Sequence, residues 1–321
     1  MPKYSIVTPV YNSFDLMKNY FKSLENQTYR DFEVVLVDDC STDGSFDKLK
    51  NFAKTTSLNL AVLQTEKNVG PGNARNIGMD AAQGEYITFV DNDDWIENDA
   101  LERIEAVFKS NCVDCVIFDY FIQGAQKKTV ACSMYCGENG TLSLSKCMVY
   151  ARNHTFCKVY KLAKCRMHNV RFPNLRRCED VAFVCRAIEA CESVFYLKEP
   201  LYYYYQRSNS LSNNKSLDES DMVKAFSYLE NDLLKKYPEE IKQKSITDLL
   251  YGATLMMCKA NKPNKDICEY INSYSEKYPE WEKCEIINHV GKAKKVFLKL
   301  ISSRKVFLLK ILARIHTKMV G

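Results

Sequence analysis

Apolar residues along this chain come in short unbroken runs, separated by segments of helical period. The runs at 4–10 (YSIVTPV), 32–38 (FEVVLVD), 58–64 (LNLAVLQ) and 85–91 (EYITFVD) predict strands. Between them, Leu16, Tyr20 and Leu24, with Met17 and Phe21, recur at helical spacing and predict a helix over 14–26. Two more helices are predicted at 45–54 and 73–83, the second closed by Gly84. Strand and helix alternating in this rhythm predict an α/β fold with a parallel sheet covered on both faces. Ligands of such sheets bind beyond the carboxyl ends of the strands. Acidic residues gather there: Asp38 and Asp39 end the second run, and Asp91, Asp93 and Asp94 follow the fourth.

The second half is less regular. A strand is predicted at 114–122 and a helix around 176–190. The stretch SVFYLKEPLYYYYQR reads as two strands split by Pro200. Residues 217–287 carry Leu, Ile and Met at helical period and predict a helical extension. Residues 291–321 predict an amphipathic helix, with Phe297, Ile301, Leu308, Ile311, Leu312 and Ile315 on one face. Lys292, Lys295, Lys299, Lys310 and Arg314 gather opposite, and Arg304 falls on the apolar face, from which it has to snorkel.

Composition adds limits. A chain of 321 residues suits one large domain with an appendage, or two domains, and 46% hydrophobic with 26% charged residues is ordinary for a globular protein. The first residues, MPKYSIVTPVYN, lack the basic and apolar segments of a secretory signal, and no run reaches 18 apolar residues. Fourteen cysteines without a signal predict free thiols in a reducing cytoplasm. The pair Cys112 and Cys115 has no second pair at zinc spacing. The net charge of +5 hides an asymmetry: Lys292 to Lys318 holds nine Lys/Arg and no acid, and the rest has 36 basic against 40 acidic residues. The pattern predicts an anionic partner for the tail, a membrane surface above all, and no nucleic acid for the body.

Crowded carboxylates repel unless something pays for them. Asp91 to Asp94 read as helix-capping acids or as a cation site. A calcium loop starting at Asp91 requires Asp or Asn and then Gly where Trp95 and Ile96 stand, which excludes it. One or two carboxylates sharing Mg²⁺ or Mn²⁺ with a substrate diphosphate fit the pattern.

IVTPVYN, VVLVDDCSTDGS, NVGPGNARNIGMDAAQGEYITFVDNDDW, FCKVYK, RCEDVAF and YYYYQRSNSLS stand in this order over about residues 3–212. The series resembles the inverting nucleotide-sugar glycosyltransferases of family 2, whose fold is GT-A, a mixed, mainly parallel sheet with helices on both faces. That resemblance implies transfer of a sugar from a UDP-sugar to a hydroxyl of a saccharide or lipid-linked saccharide, in bacterial surface polysaccharide or glycolipid assembly. It implies that Pro9, Val10 and Tyr11 pack on the nucleotide base and that Asp39 reads uracil or ribose. Arg75 and Asn76 resemble the polar pair near the nucleotide. Asp91 resembles the ribose-side acid and Asp93 the metal ligand of a D-x-D that holds Mn²⁺ or Mg²⁺. Asp180 resembles the catalytic base, with Glu179 as its neighbour and substitute. Arg207 resembles a basic residue closing over the diphosphate. The family has Gly before Glu-Asp, and Cys178 stands there instead.

Plainer readings exist for each residue. Asp39 could cap the next helix, and Glu179 and Asp180 could be first-turn acids facing a helix dipole. Two rival functions are a sugar nucleotidyltransferase and a catalytically inactive nucleotide-sugar-binding module at a membrane. The first carries a Gly- and Arg-rich loop after its first strand, where this chain reads TPVYNSFD. The expected organisation is a GT-A catalytic domain at 1–215, a helical extension at 216–288 and a basic membrane-associating tail at 289–321. The expected location is the cytoplasm, peripheral on the inner face of the cell membrane.

Overall fold

The computed structural model describes residues 1–124, 128–206 and 218–320, with backbone alone for 316–320. The chain forms two compact units, Met1–Cys147 with Arg152–Gln206, and Met148–Ala151 with the described part of Arg207–Gly321.

The first unit is built on a ten-stranded sheet among the described residues. Its strands are β1 (Tyr4–Val10), β2 (Phe32–Asp38), β3 (Leu60–Gln64), β4 (Tyr86–Phe89), β5 (Trp95–Ile96), β6 (Cys115–Gln123), β7 (Lys128–Ala131), β8 (Gly140–Leu142), β9 (Lys158–Lys161) and β10 (Val194–Tyr205). They run in the order β3-β2-β1-β4-β9-β6-β10-β5, with β7 paired to β6 and β8 to β10. β1, β2, β3 and β4 are parallel, β9 is antiparallel to its neighbours, and β6 and β10 are parallel again. The sheet is therefore mixed and mainly parallel, as expected.

β1 and β2 are buried at every position, which is why they read as continuous apolar runs. The helices of this unit are α1 (Lys18–Glu25), α2 (Ser45–Ala53), α3 (Pro71–Ala81), α4 (Ala100–Ser110), α5 (Leu144–Tyr150), whose last residues fall in the second unit, α6 (Leu162–Met167) and α7 (Glu179–Cys191). α3 lies close against the sheet because Gly78 has no side chain: a Cβ there comes within 2.3 Å of Val7 Cγ1. The predicted split at Pro200 is corrected. β10 is one strand that absorbs Pro200 as an irregularity, with shifts in register on either side of it.

The second unit is helical: α8 (Glu219–Leu233), α9 (Pro238–Ser245), α10 (Tyr251–Lys259), α11 (Asn264–Lys277), α12 (Ile286–His289), α13 (Lys292–Ser302) and α14 (Val306–Val320). The single amphipathic helix predicted at 291–321 is also corrected. It is two helices, broken where Arg304 takes a positive φ of 52°. Arg304 does not snorkel from a helix face; its guanidinium donates to Asn272 Oδ1, Ser275 Oγ and the Ser302 carbonyl. The supposed single face divides accordingly. Phe297 and Ile301 are buried, whereas Leu308, Ile311 and Ile315 are exposed.

Candidate functional site

Parallel pairing of β1 with β2 and β4 brings three carboxyl ends to one edge of the sheet. β1 ends in Pro9 and Val10, both in the sheet, followed by the exposed Tyr11. Asp38 ends β2 with Asp39 next to it, and Asp91 to Asp94 follow β4. Asn92 ties two of these ends together by donating its side-chain amide to the Pro9 carbonyl at 2.9 Å.

Asp39 is buried, and its carboxylate is already well supplied with donors. Oδ1 accepts from Val69 N at 2.8 Å and Thr65 Oγ1 at 3.0 Å, and Oδ2 accepts from Gly70 N at 2.8 Å. The backbone amides of the glycine-containing loop thus point at an internal carboxylate. Gly70 takes a φ of +87° to make this turn, and Pro71 then starts α3 at the first helical position. Asp39 is not a helix cap: α2 begins after Gly44, and Asp43 accepts from Ser45 N there.

α3 carries Arg75 toward the acids. Its guanidinium is buried between two carboxylates, with Nη2 donating to Asp91 Oδ1 at 2.7 Å and Nη1 to Glu179 Oε1 at 3.0 Å. Its Cζ also lies over the Phe172 ring, 5.6 Å from the ring centroid. Burial opposes the charge on Arg75, but Asp91 and Glu179 outweigh burial and raise its pKa. Glu179 goes the other way from a paired acid. Burial lifts its pKa, with the pull of Arg75 only a partial offset, because one guanidinium serves two carboxylates. Gly72 makes room for this bridge, since a Cβ there comes within 2.9 Å of Glu179 Cγ.

Glu179 and Asp180 open α7, whose positive end faces them. The preceding Cys178 sits in the left-handed region at φ 60°, the conformation that Gly adopts without cost. Cys178 therefore makes the same kind of turn as glycine, with strain. Asp180 is half-buried, and its Oδ1 accepts from Val181 N at 2.9 Å.

The acids after β4 divide into two kinds. Asp91 and Asp93 are half-buried. Asp94 is buried and bolts the loop to β10, accepting from Tyr202 Oη at 2.6 Å and Tyr205 N at 2.7 Å. Burial first, then the charges of Asp91 and Asp93, push its carboxyl well above the ordinary range. Tyr202 Oη also accepts from Asp91 N at 3.1 Å. The roles of Asp94 and Tyr202 were missed in the sequence. The only signal was a third Asp beside the D-x-D and a run of four tyrosines, and neither specifies a partner.

The structure joins Asp91, Arg75 and Glu179 directly and sets Asp93 and Asp180 next to members of that bridge. Asn76 is turned elsewhere: its amide exchanges two 2.9 Å hydrogen bonds with the Phe172 backbone. Arg207 lies outside the described residues. Among the described residues no three His, Cys, Asp or Glu side chains gather as a metal cluster. Asp91 and Asp93 carry hard carboxylate oxygens, the donor type that Mg²⁺ or Mn²⁺ takes.

Comparison with known proteins decides the family. Residues 5–154 match Glycosyl transferase family 2. The Bacillus subtilis protein EpsH is 31% identical over 256 residues, which cover 75% of this chain and 73% of EpsH. The chain belongs to glycosyl transferase family 2.

The poly(ribitol-phosphate) beta-N-acetylglucosaminyltransferase TarS of Staphylococcus aureus is 32% identical over 210 residues, or 64% of this chain. The matched segment spans only 35% of TarS. A crystal structure of TarS residues 1–349 with UDP-GlcNAc superposes with a TM-score of 0.73 at 22% identity, over 98% of this chain and 92% of that one. The family 2 member described here therefore has the GT-A fold. No helix among its described residues is long and apolar enough to cross a membrane.

Proposed function

We propose that this family 2 glycosyltransferase moves a sugar from a UDP-sugar to a hydroxyl of a saccharide or lipid-linked saccharide, with inversion at the anomeric carbon. The observation that carries the reading is the Asp91–Arg75–Glu179 bridge, which ties the D-x-D loop to the N-terminus of α7, where Asp180 lies. TarS, crystallised with UDP-GlcNAc, supports UDP as the nucleotide. The products named for TarS and its relatives support an acceptor of the bacterial surface-polymer class.

Chemically, an acceptor hydroxyl attacks the anomeric carbon from the face opposite the diphosphate. The new C–O bond forms as the bond to the diphosphate oxygen breaks, and UDP carries away the electron pair. Asp180 takes the hydroxyl proton, a contribution of about 10²–10⁴-fold for a positioned base. Arg75 holds Asp91 and Glu179 in place and keeps their charges compensated while the donor is bound. Pro9, Val10, Tyr11 and Asp39 form the nucleotide side, with Asn76 supporting through Phe172 and Arg207 contributing a closing cation. Asp93 with Asp91 would hold Mn²⁺ or Mg²⁺, which when bound neutralises charge on the diphosphate. In this reading the enzyme is cytoplasmic and peripheral on the inner face of the cell membrane.

The test is transfer by Asp180→Asn. The expected result is a kcat lower by about 10²–10⁴-fold with UDP affinity unchanged. Normal kcat in that variant removes Asp180 as the base. A requirement for a nucleoside triphosphate and a sugar phosphate in place of a UDP-sugar would mark a nucleotidyltransferase.

A further inference from the structure

α14 presents apolar residues on two opposite sides. Val306, Leu309 and Ala313 are buried, and the helix packs on α10, α11 and α13. At about 100° per residue, Phe307, Leu308, Ile311 and Ile315 centre on the reverse side. All four are exposed, Phe307 by 71%. Single exposed apolar residues are ordinary, but a continuous stripe along one helix marks a contact surface. Val296 of α13 is exposed as well.

The charged residues of α13, α14 and the break between them are all basic. Lys292, Lys295, Lys299, Lys305 and Arg314 are exposed, and no Asp or Glu occurs between Lys292 and Lys318. An open groove of about 380 Å³ at the start of α14 is lined by Arg304, Lys305, Val306, Phe307 and Leu308 among others. Cations thus stand directly beside the apolar side chains.

We propose that the outer face of α14, with the lysines of α13 and of the break before α14, docks on an anionic lipid bilayer. Phe307, Ile311 and Ile315 enter the boundary between headgroups and acyl chains, and the cations meet lipid phosphates. Charge selects this occupant. A second copy on the same face brings cations against cations, whereas an anionic bilayer matches both the apolar stripe and its basic border. At 15 residues α14 is about 22 Å long, which suits lying in the interface. The inference names the surface behind the peripheral location proposed above and is independent of the transfer chemistry.

The test is sedimentation of the full chain with phosphatidylcholine vesicles, with and without phosphatidylglycerol. Binding is expected only with the anionic lipid and is expected to fall as salt rises. Phe307→Asp with Ile311→Asp should weaken it about tenfold or more. Lys299→Gln, Lys305→Gln and Arg314→Gln together should weaken it by about a hundredfold. All five positions are exposed, so both variants should retain circular dichroism and the release of sugar from a UDP-sugar in solution. That readout separates a failure of docking from a failure of the transferase reading. The proposal is overturned if the chain stays in the supernatant with both lipids or if both variants sediment like the wild type. A dimer in light scattering that Phe307→Asp with Ile311→Asp converts to a monomer, without vesicle binding, also overturns it.

Discussion

Arg75 carries more of this site than its place in the sequence suggests. A lone Arg in the first turns of a helix reads as a polar contact, and its identity gives no hint of Glu179, 104 residues away. The acids were legible by type and by their place after strands. Which of them is free for a ligand was not, because that depends on tertiary partners. Asp94 is spent on Tyr202 and Tyr205, while Asp39 is fixed in place by the loop amides of Val69 and Gly70. Removing Arg75 leaves two carboxylates facing each other without compensation. Arg75→Met should cost about 3–5 kcal/mol in urea denaturation. Adding Glu179→Gln should recover part of that loss, since a neutral amide no longer requires the cation. An unchanged midpoint for the single variant would contradict the bridge.

At the level of elements, the apolar runs were legible because strands buried on both faces cannot hide their composition. β1 and β2 begin and end where the pattern places them. Two elements were not legible. Pro200 read as a strand break, but it and its neighbours on both sides pair with β6, and shifts in register absorb it. The tail read as one helix because Arg304 is a good helix former. Its left-handed backbone is held by side-chain bonds to Asn272 and Ser275, which only the folded unit supplies. Cys178 offers the converse case, where the family pattern has Gly and the backbone is left-handed. An L-residue there costs about 1–2 kcal/mol, of which glycine returns part as unfolded-state entropy. Cys178→Gly should therefore raise stability by about 0.5–1 kcal/mol in thermal or urea unfolding. A loss of more than that amount would mean the thiol contributes more than the strain costs.

For the whole molecule, the average charge of +5 described neither part of the chain. Fold class and family were legible because six short motifs stood in order, the first three of them on strand ends that periodicity had already marked. Donor sugar and acceptor were not, because they depend on pocket contacts that no motif encodes. The central claim is that Asp39 beyond β2 and Asp91 beyond β4, the latter tied through Arg75 to Glu179 at the start of α7, belong to a nucleotide-sugar donor site. Calorimetric titration of the full chain with UDP, with and without Mn²⁺, tests it most directly. The account predicts binding that strengthens about tenfold or more when Mn²⁺ is present, with the gain lost in Asp93→Asn. A folded protein that takes up no UDP in either condition would contradict it.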